Sequence, residues 1–100
     1  MSQQSKHRNK TNARASTQIS FTLNGWKDFE YWAENDMKVL DSIRDLLKEC
    51  IRTPFTGTGK PESLKGDLSG FWSRRITKVH RLVYSVEAGI ITVIACRFHY

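Results

Sequence analysis

The chain is 100 residues long, 39% apolar and 26% charged, with a formal charge of +6 and a pI near 9.6. That length holds one small hydrophobic core, the composition excludes wholesale disorder, and no apolar run approaches the roughly 20 residues that span a bilayer. No apolar segment follows the basic residues near the start, so no secretory signal is expected, and Cys50 and Cys96 lack the spacing of a disulfide framework or redox motif. A cytoplasmic protein with two core thiols is expected, with no membrane association.

The charge is unevenly spread. Residues 1–18 carry Lys6, Arg8, Lys10 and Arg14 and no acid, residues 19–51 carry four basic and seven acidic residues, and residues 52–84 carry seven basic residues against Glu62 and Asp67. An acidic half beside a strongly basic half is the footprint of a polyanion-binding face.

Residues 1–17 are polar, basic and aperiodic, and are expected to form a disordered tail whose attraction for nucleic acid is non-specific. Residues 18–100 are expected to form one folded domain. Alternation in "QISFT" predicts a first strand over Gln18–Thr22. The period then changes: Leu23, Trp26, Phe29 or Glu30, and Ala33 follow helical spacing, with Thr22 or Asn24 as the cap. Trp26, Phe29, Tyr31 and Trp32 at that spacing read as core more readily than as a base-stacking platform. A second helix over residues 36–52 is marked by Met37, Leu40, Ile43, Leu46, Leu47 and Cys50, with Asn35 or Asp36 as cap and Thr53-Pro54 as stop. Residues 53–70 are rich in Gly, Pro, Ser and Thr and read as loop. Three strand-like runs follow at 71–77, 80–86 and 90–98, the last two joined at Glu87-Ala88-Gly89. The order β-α-α-β-β-β predicts an α+β fold: a mostly antiparallel sheet with both helices packed on one face.

The other face, with the loop before the second strand, would gather Glu62, Lys65, Arg74, Arg75, Arg81, His99 and Tyr100. Cleavage of RNA through its own 2′-hydroxyl needs a base for the 2′ proton, a cation for the charged phosphorane-like oxygens and an acid for the departing 5′-oxygen. Glu62, Arg81 and His99 match those roles by chemical type, and histidine alone titrates near neutrality unaided. Tyr100 is suited to stacking on a base. Each signal is also compatible with a plainer role, a loop carboxylate, a strand ion pair or a chain end. His7, His80, His99, Cys50 and Cys96 show no metal-ligand spacing, so neither metal nor other cofactor is expected. "TGTGKP" lacks the strand-before, helix-after context and the Lys-Ser/Thr ending of a phosphate loop.

"RTPFTGTGKPESLKGDLSGFWSRRIT" (52–77), "HRLVYSV" (80–86) and "ACRFHY" (95–100), with "GWKDFEYW" (25–32), resemble the YoeB toxins, the Txe/YoeB branch of the RelE superfamily. The resemblance runs from about Gln18 to Tyr100 and leaves residues 1–17 outside it. It implies a RelE-like microbial ribonuclease fold and a toxin of a type II toxin–antitoxin module. It further implies an endoribonuclease that enters the ribosomal A site and cuts messenger RNA there, inhibiting translation. The implied partners are messenger RNA on the bacterial ribosome and its ribosomal RNA, a cognate YefM-like antitoxin, and a second copy of the chain in a homodimer. By the same resemblance Glu62 is the general base, Arg81 the transition-state stabiliser, His99 the general acid and Tyr100 the residue that orients substrate. Lys65 and Arg75 fall on basic positions near the scissile phosphate, and Arg74 joins them as a candidate for holding RNA. Ser63 stands where many members have a second proline, and Phe98 where a tyrosine is frequent. The alternatives are a same-fold ParE-like toxin that poisons DNA gyrase without catalysis, which would not need the Glu–Arg–His–Tyr set, and a basic RNA-binding module.

Overall fold

Thr22 turns the chain from strand to helix. Its hydroxyl accepts the Gly25 N–H at 3.1 Å and lies within 3.3 Å of the carbonyls of Val93 and Ile94, so the cap also fixes the helix to the last strand. In the computed structural model, which describes residues 18–98, the elements are β1 (Gln18–Phe21), α1 (Leu23–Asn35), α2 (Met37–Arg52), β2 (Glu62–Ser63), a short 3-10 turn (Gly66–Leu68), β3 (Trp72–Arg75), β4 (Arg81–Glu87) and β5 (Ile90–Ala95). The expected tail, 1–17, lies outside the described residues, as do His99 and Tyr100. Asp36 alone separates the helices. Its carboxylate accepts the N–H groups of Lys38 and Val39, while its own N–H closes α1 on Trp32.

The fold is α+β: two helices packed on a five-stranded mixed sheet of order β1-β5-β4-β3-β2. β1 runs parallel to β5 and every other pairing is antiparallel. Leu40, Ile43, Leu46, Leu47 and Cys50 of α2 and Trp32 of α1 form the core with Leu82, Tyr84, Ile91 and Val93 of the central strands. Ala88 and Gly89 join β4 to β5 with φ of 49° and 77°, the double positive φ that a two-residue hairpin turn demands. Among the described residues, no helix is long and apolar enough to cross a membrane.

Three elements differ from the sequence expectation. β2 is an added strand, too short to show a period. The buried side of α1 is Gly25 and Trp32, with Asp28, Phe29 and Tyr31 half-buried, whereas Leu23, Trp26 and Ala33 are exposed. A Cβ on Gly25 would stand 2.3 Å from the Val93 oxygen, so the closest helix–sheet contact is made by a residue with no side chain. β5 stops at Ala95 and not at Phe98, because the Cys96 N–H leaves the ladder to donate to the Asp28 carboxylate at 3.0 Å.

Candidate active site

Backbone pairing sets Glu62 opposite Ser73, Ser73 opposite Val83, and Arg75 opposite Arg81. Directly opposed residues project from one side of a sheet, so Glu62, Arg75 and Arg81 share the side opposite the helices. The Glu62 carboxylate is carried there by the two-residue β2, and the Leu64 N–H to Phe71 carbonyl bond of 2.9 Å extends that pairing. Strand spacing near 4.8 Å and a rise near 3.4 Å per residue separate the Glu62 and Arg81 Cα atoms by about 12 Å, a span two extended side chains can close around one phosphodiester.

Glu62, Lys65 and Arg75 are exposed and Arg81 is half-buried. Among the described residues the Arg81 guanidinium donates from Nη1 to the Thr77 carbonyl at 3.2 Å, which holds it against the β3–β4 turn. Arg75 opposes Arg81 by register but also borders a cleft of about 420 Å³ toward α2, whose Ser42, Asp45, Glu49 and Arg52 line it. Lys65 leads into the 3-10 turn beyond β2.

Arg74 does not join them. It is 0% exposed and its five N–H donors are all used inside the fold: Nε on the Tyr84 hydroxyl, Nη1 on the Glu49 carboxylate and the Thr58 carbonyl, Nη2 on the carbonyls of Thr53 and Thr56. The expectation that Arg74 holds RNA is therefore corrected. It ties the loop after α2 to the sheet, and the Tyr84 hydroxyl completes the knot by donating to the Pro54 carbonyl at 2.6 Å. Burial pushes the Tyr84 phenol up to about 12, against the Arg74 hydrogen bond, which lowers it. The Cys50 thiol beside it is also raised by burial.

The chain end is held by residues that no motif announces. Asp28 accepts the Cys96 N–H, and Trp32 Nε1 donates to the Cys96 carbonyl at 2.8 Å. Burial raises the Cys96 thiol to about 12, with the Asp28 charge adding to the shift. The Arg97 guanidinium lies 3.6 Å over the Tyr31 ring. The Phe98 N–H donates to His80 Nδ1 at 2.7 Å, and the Arg81 N–H donates to the Phe98 carbonyl at 2.8 Å. The helical spacing of the α1 aromatics gave no sign that Tyr31 and Trp32 serve the end of the last strand; long-range contact of that kind is invisible to periodicity. His99 and Tyr100, the remaining site residues expected, follow Phe98 directly and lie outside the described residues. Among the described residues no three His, Cys, Asp or Glu side chains converge as metal ligands.

The chain is similar to known proteins in both sequence and fold. Residues 21–100 match the family described as YoeB-like toxin of bacterial type II toxin-antitoxin system. Toxin YoeB of Escherichia coli strain K12 is 55% identical over 75 residues, which cover 75% of this chain and 89% of the relative. Two Staphylococcus aureus structures are each 41% identical and cover 86% of this chain and all of theirs: a YoeB dimer, with a TM-score of 0.80, and a heterotetrameric YoeB–YefM toxin–antitoxin complex, with a TM-score of 0.78.

Proposed function

The chain belongs to the YoeB-like toxins of bacterial type II toxin–antitoxin systems, and from that premise we propose that it is an endoribonuclease that cuts messenger RNA in the ribosomal A site. The observation that carries this reading is the shared sheet face of Glu62 and Arg81, with Arg81 bonded through its backbone to the residue that precedes His99.

In the proposed reaction Glu62 takes the proton of the 2′-hydroxyl, and the 2′-oxygen attacks the adjacent phosphorus. A 2′-O–P bond forms and the P–O5′ bond breaks. Arg81 balances the charge that builds on the non-bridging oxygens, and His99 delivers a proton to the departing 5′-oxygen. Tyr100 stacks on and orients the nucleotide, while the exposed cations Lys65 and Arg75 hold flanking phosphates. These steps use side chains alone. The partners are messenger RNA on the ribosome in the cytoplasm and, by likeness to the Staphylococcus aureus complex and dimer, a YefM-like antitoxin and a second toxin copy.

The test is to induce the protein in bacteria and map transcript ends by primer extension. New ends in codon phase within translated messages are expected. DNA-damage signalling with intact messages would instead mark a gyrase poison and overturn the reading. On translating ribosomes, Glu62→Ala and His99→Ala should each slow cutting by roughly 10²–10⁴-fold and Arg81→Ala by roughly 10²–10³-fold.

A further inference from the structure

Phe98 has a φ of +62°, the left-handed region that costs an L-residue about 1–2 kcal/mol. Such strain persists only where the surroundings over-determine it. Burial of the ring is not the reason, since Phe98 is 57% exposed. What holds the residue is hydrogen bonding at both ends of its backbone: its N–H on His80 Nδ1 and its carbonyl on the Arg81 N–H.

His80 is itself fixed. Its ring stands edge-on to Trp32 at 4.7 Å between centroids, and Trp32 is locked by its own bond to the Cys96 carbonyl. Its backbone closes the β3–β4 turn, the carbonyl accepting from Ile76 and Thr77 and the N–H donating to the Thr77 hydroxyl. An Nδ1 that accepts cannot carry a proton, so the hydrogen bond sets the ring tautomer as well. One turn thus presents two adjacent residues to the chain end, an acceptor at 80 and a backbone donor at 81.

We propose that His80 is a positioning residue for the proton-transfer step: by fixing the bent backbone of Phe98 it sets the course of the chain into His99, the proposed general acid. This rests on the reading of His99 as the general acid. In this scheme His80 acts through the Phe98 backbone that it holds.

The experiment measures single-turnover cutting on programmed ribosomes by His80→Ala, His80→Asn and His80→Gln, with ordinary messenger and with messenger whose scissile 5′-oxygen is replaced by sulfur. A misplacement near 1 Å can lower a rate about 10²-fold, so His80→Ala should cut roughly 10- to 100-fold more slowly at unchanged ribosome affinity. His80→Asn puts an acceptor at the place of Nδ1 and should recover most of that loss; His80→Gln puts it too far out and should not. A thiolate leaves without protonation, so on the sulfur substrate the His80→Ala defect should shrink with that of His99→Ala. In a His99→Ala background, His80→Ala should add no further loss. Should His80→Ala melt before it can be assayed, the Asn and Gln variants carry the same comparison. Wild-type cutting by His80→Ala, equal rates for Asn and Gln, an undiminished defect on the sulfur substrate, or a loss that adds to that of His99→Ala would each overturn the proposal. Wild-type cutting by His99→Ala would overturn the assignment of the acid itself.

Discussion

The Arg74 position uses five N–H donors in a rigid fork, and lysine offers three on a mobile point charge. Arg74→Lys therefore leaves loop carbonyls unbonded, and Arg74→Met also strips the counter-charge from Glu49, whose side chain keeps 25% of its exposure. Removing one partner of a buried pair costs about 3–5 kcal/mol, so Arg74→Met should lower the urea-unfolding free energy by about 3 kcal/mol and Arg74→Lys by less. If Arg74 served RNA instead, the lysine variant would keep its stability and lose affinity in a salt-dependent way. The residue's true side was already legible in the alternation of its strand: Arg74 falls in phase with Trp72 and Ile76, both packed against the core. Its charge argued for the surface and its phase for the interior, and with five acceptors to hand the interior wins.

At the scale of elements, α2 was plain from its sequence because the stripe it turns to the core is apolar: Leu40, Ile43, Leu46, Leu47 and Cys50 are all buried, and only Met37 at its start stays exposed. α1 was plain as a helix and misleading as a face. Trp32 is in the core as read, but two further contact positions are a glycine against the Val93 backbone and an aspartate on the Cys96 N–H, and neither is counted by an apolar period. Trp26, 45% exposed, stacks instead with Phe29 and meets Phe21 edge-on at the flank of the sheet. Gly25 yields a prediction with competing signs. Alanine is favoured over glycine in a helix by roughly 0.5–1 kcal/mol, but the clash is with a backbone oxygen that cannot swing away, and overpacking typically costs 1–3 kcal/mol. Gly25→Ala should thus destabilise by about 1 kcal/mol or more in urea; a gain would mean that α1 can lift from β5 freely. Of the candidate site, Glu62 and Arg81 could be singled out by chemical type, whereas the supporting residues Asp28, Trp32 and His80 could not. Hydrogen bonds across 18, 64 and 68 residues of sequence leave no local pattern.

Across the whole molecule the acids cluster on the helices and the basic residues on the loop, β3 and β4. An antitoxin segment that covers the site should therefore be acidic, and if disordered when free it would order on binding. Co-expression of a small acidic open reading frame adjacent to the toxin's own should abolish growth arrest and co-purify, with association slowing as salt is raised. A neutral segment with salt-independent binding would point to the exposed apolar residues of α1 as the contact. The sheet order carries a consequence for time. β5 lies between β1 and β4, and the Ser20–Thr92 hydroxyl pair joins residues 72 apart. β1, α1 and the turn that bears Arg81 thus lack their shared neighbour until residues 90–98 have been made, and closing so long a loop comes late. During its own synthesis the chain is an unfinished sheet, with no bond yet from residue 98 to the turn at 80–81. A protein whose proposed target is the translating ribosome is in this way assembled only once residues 90–98 have themselves been translated.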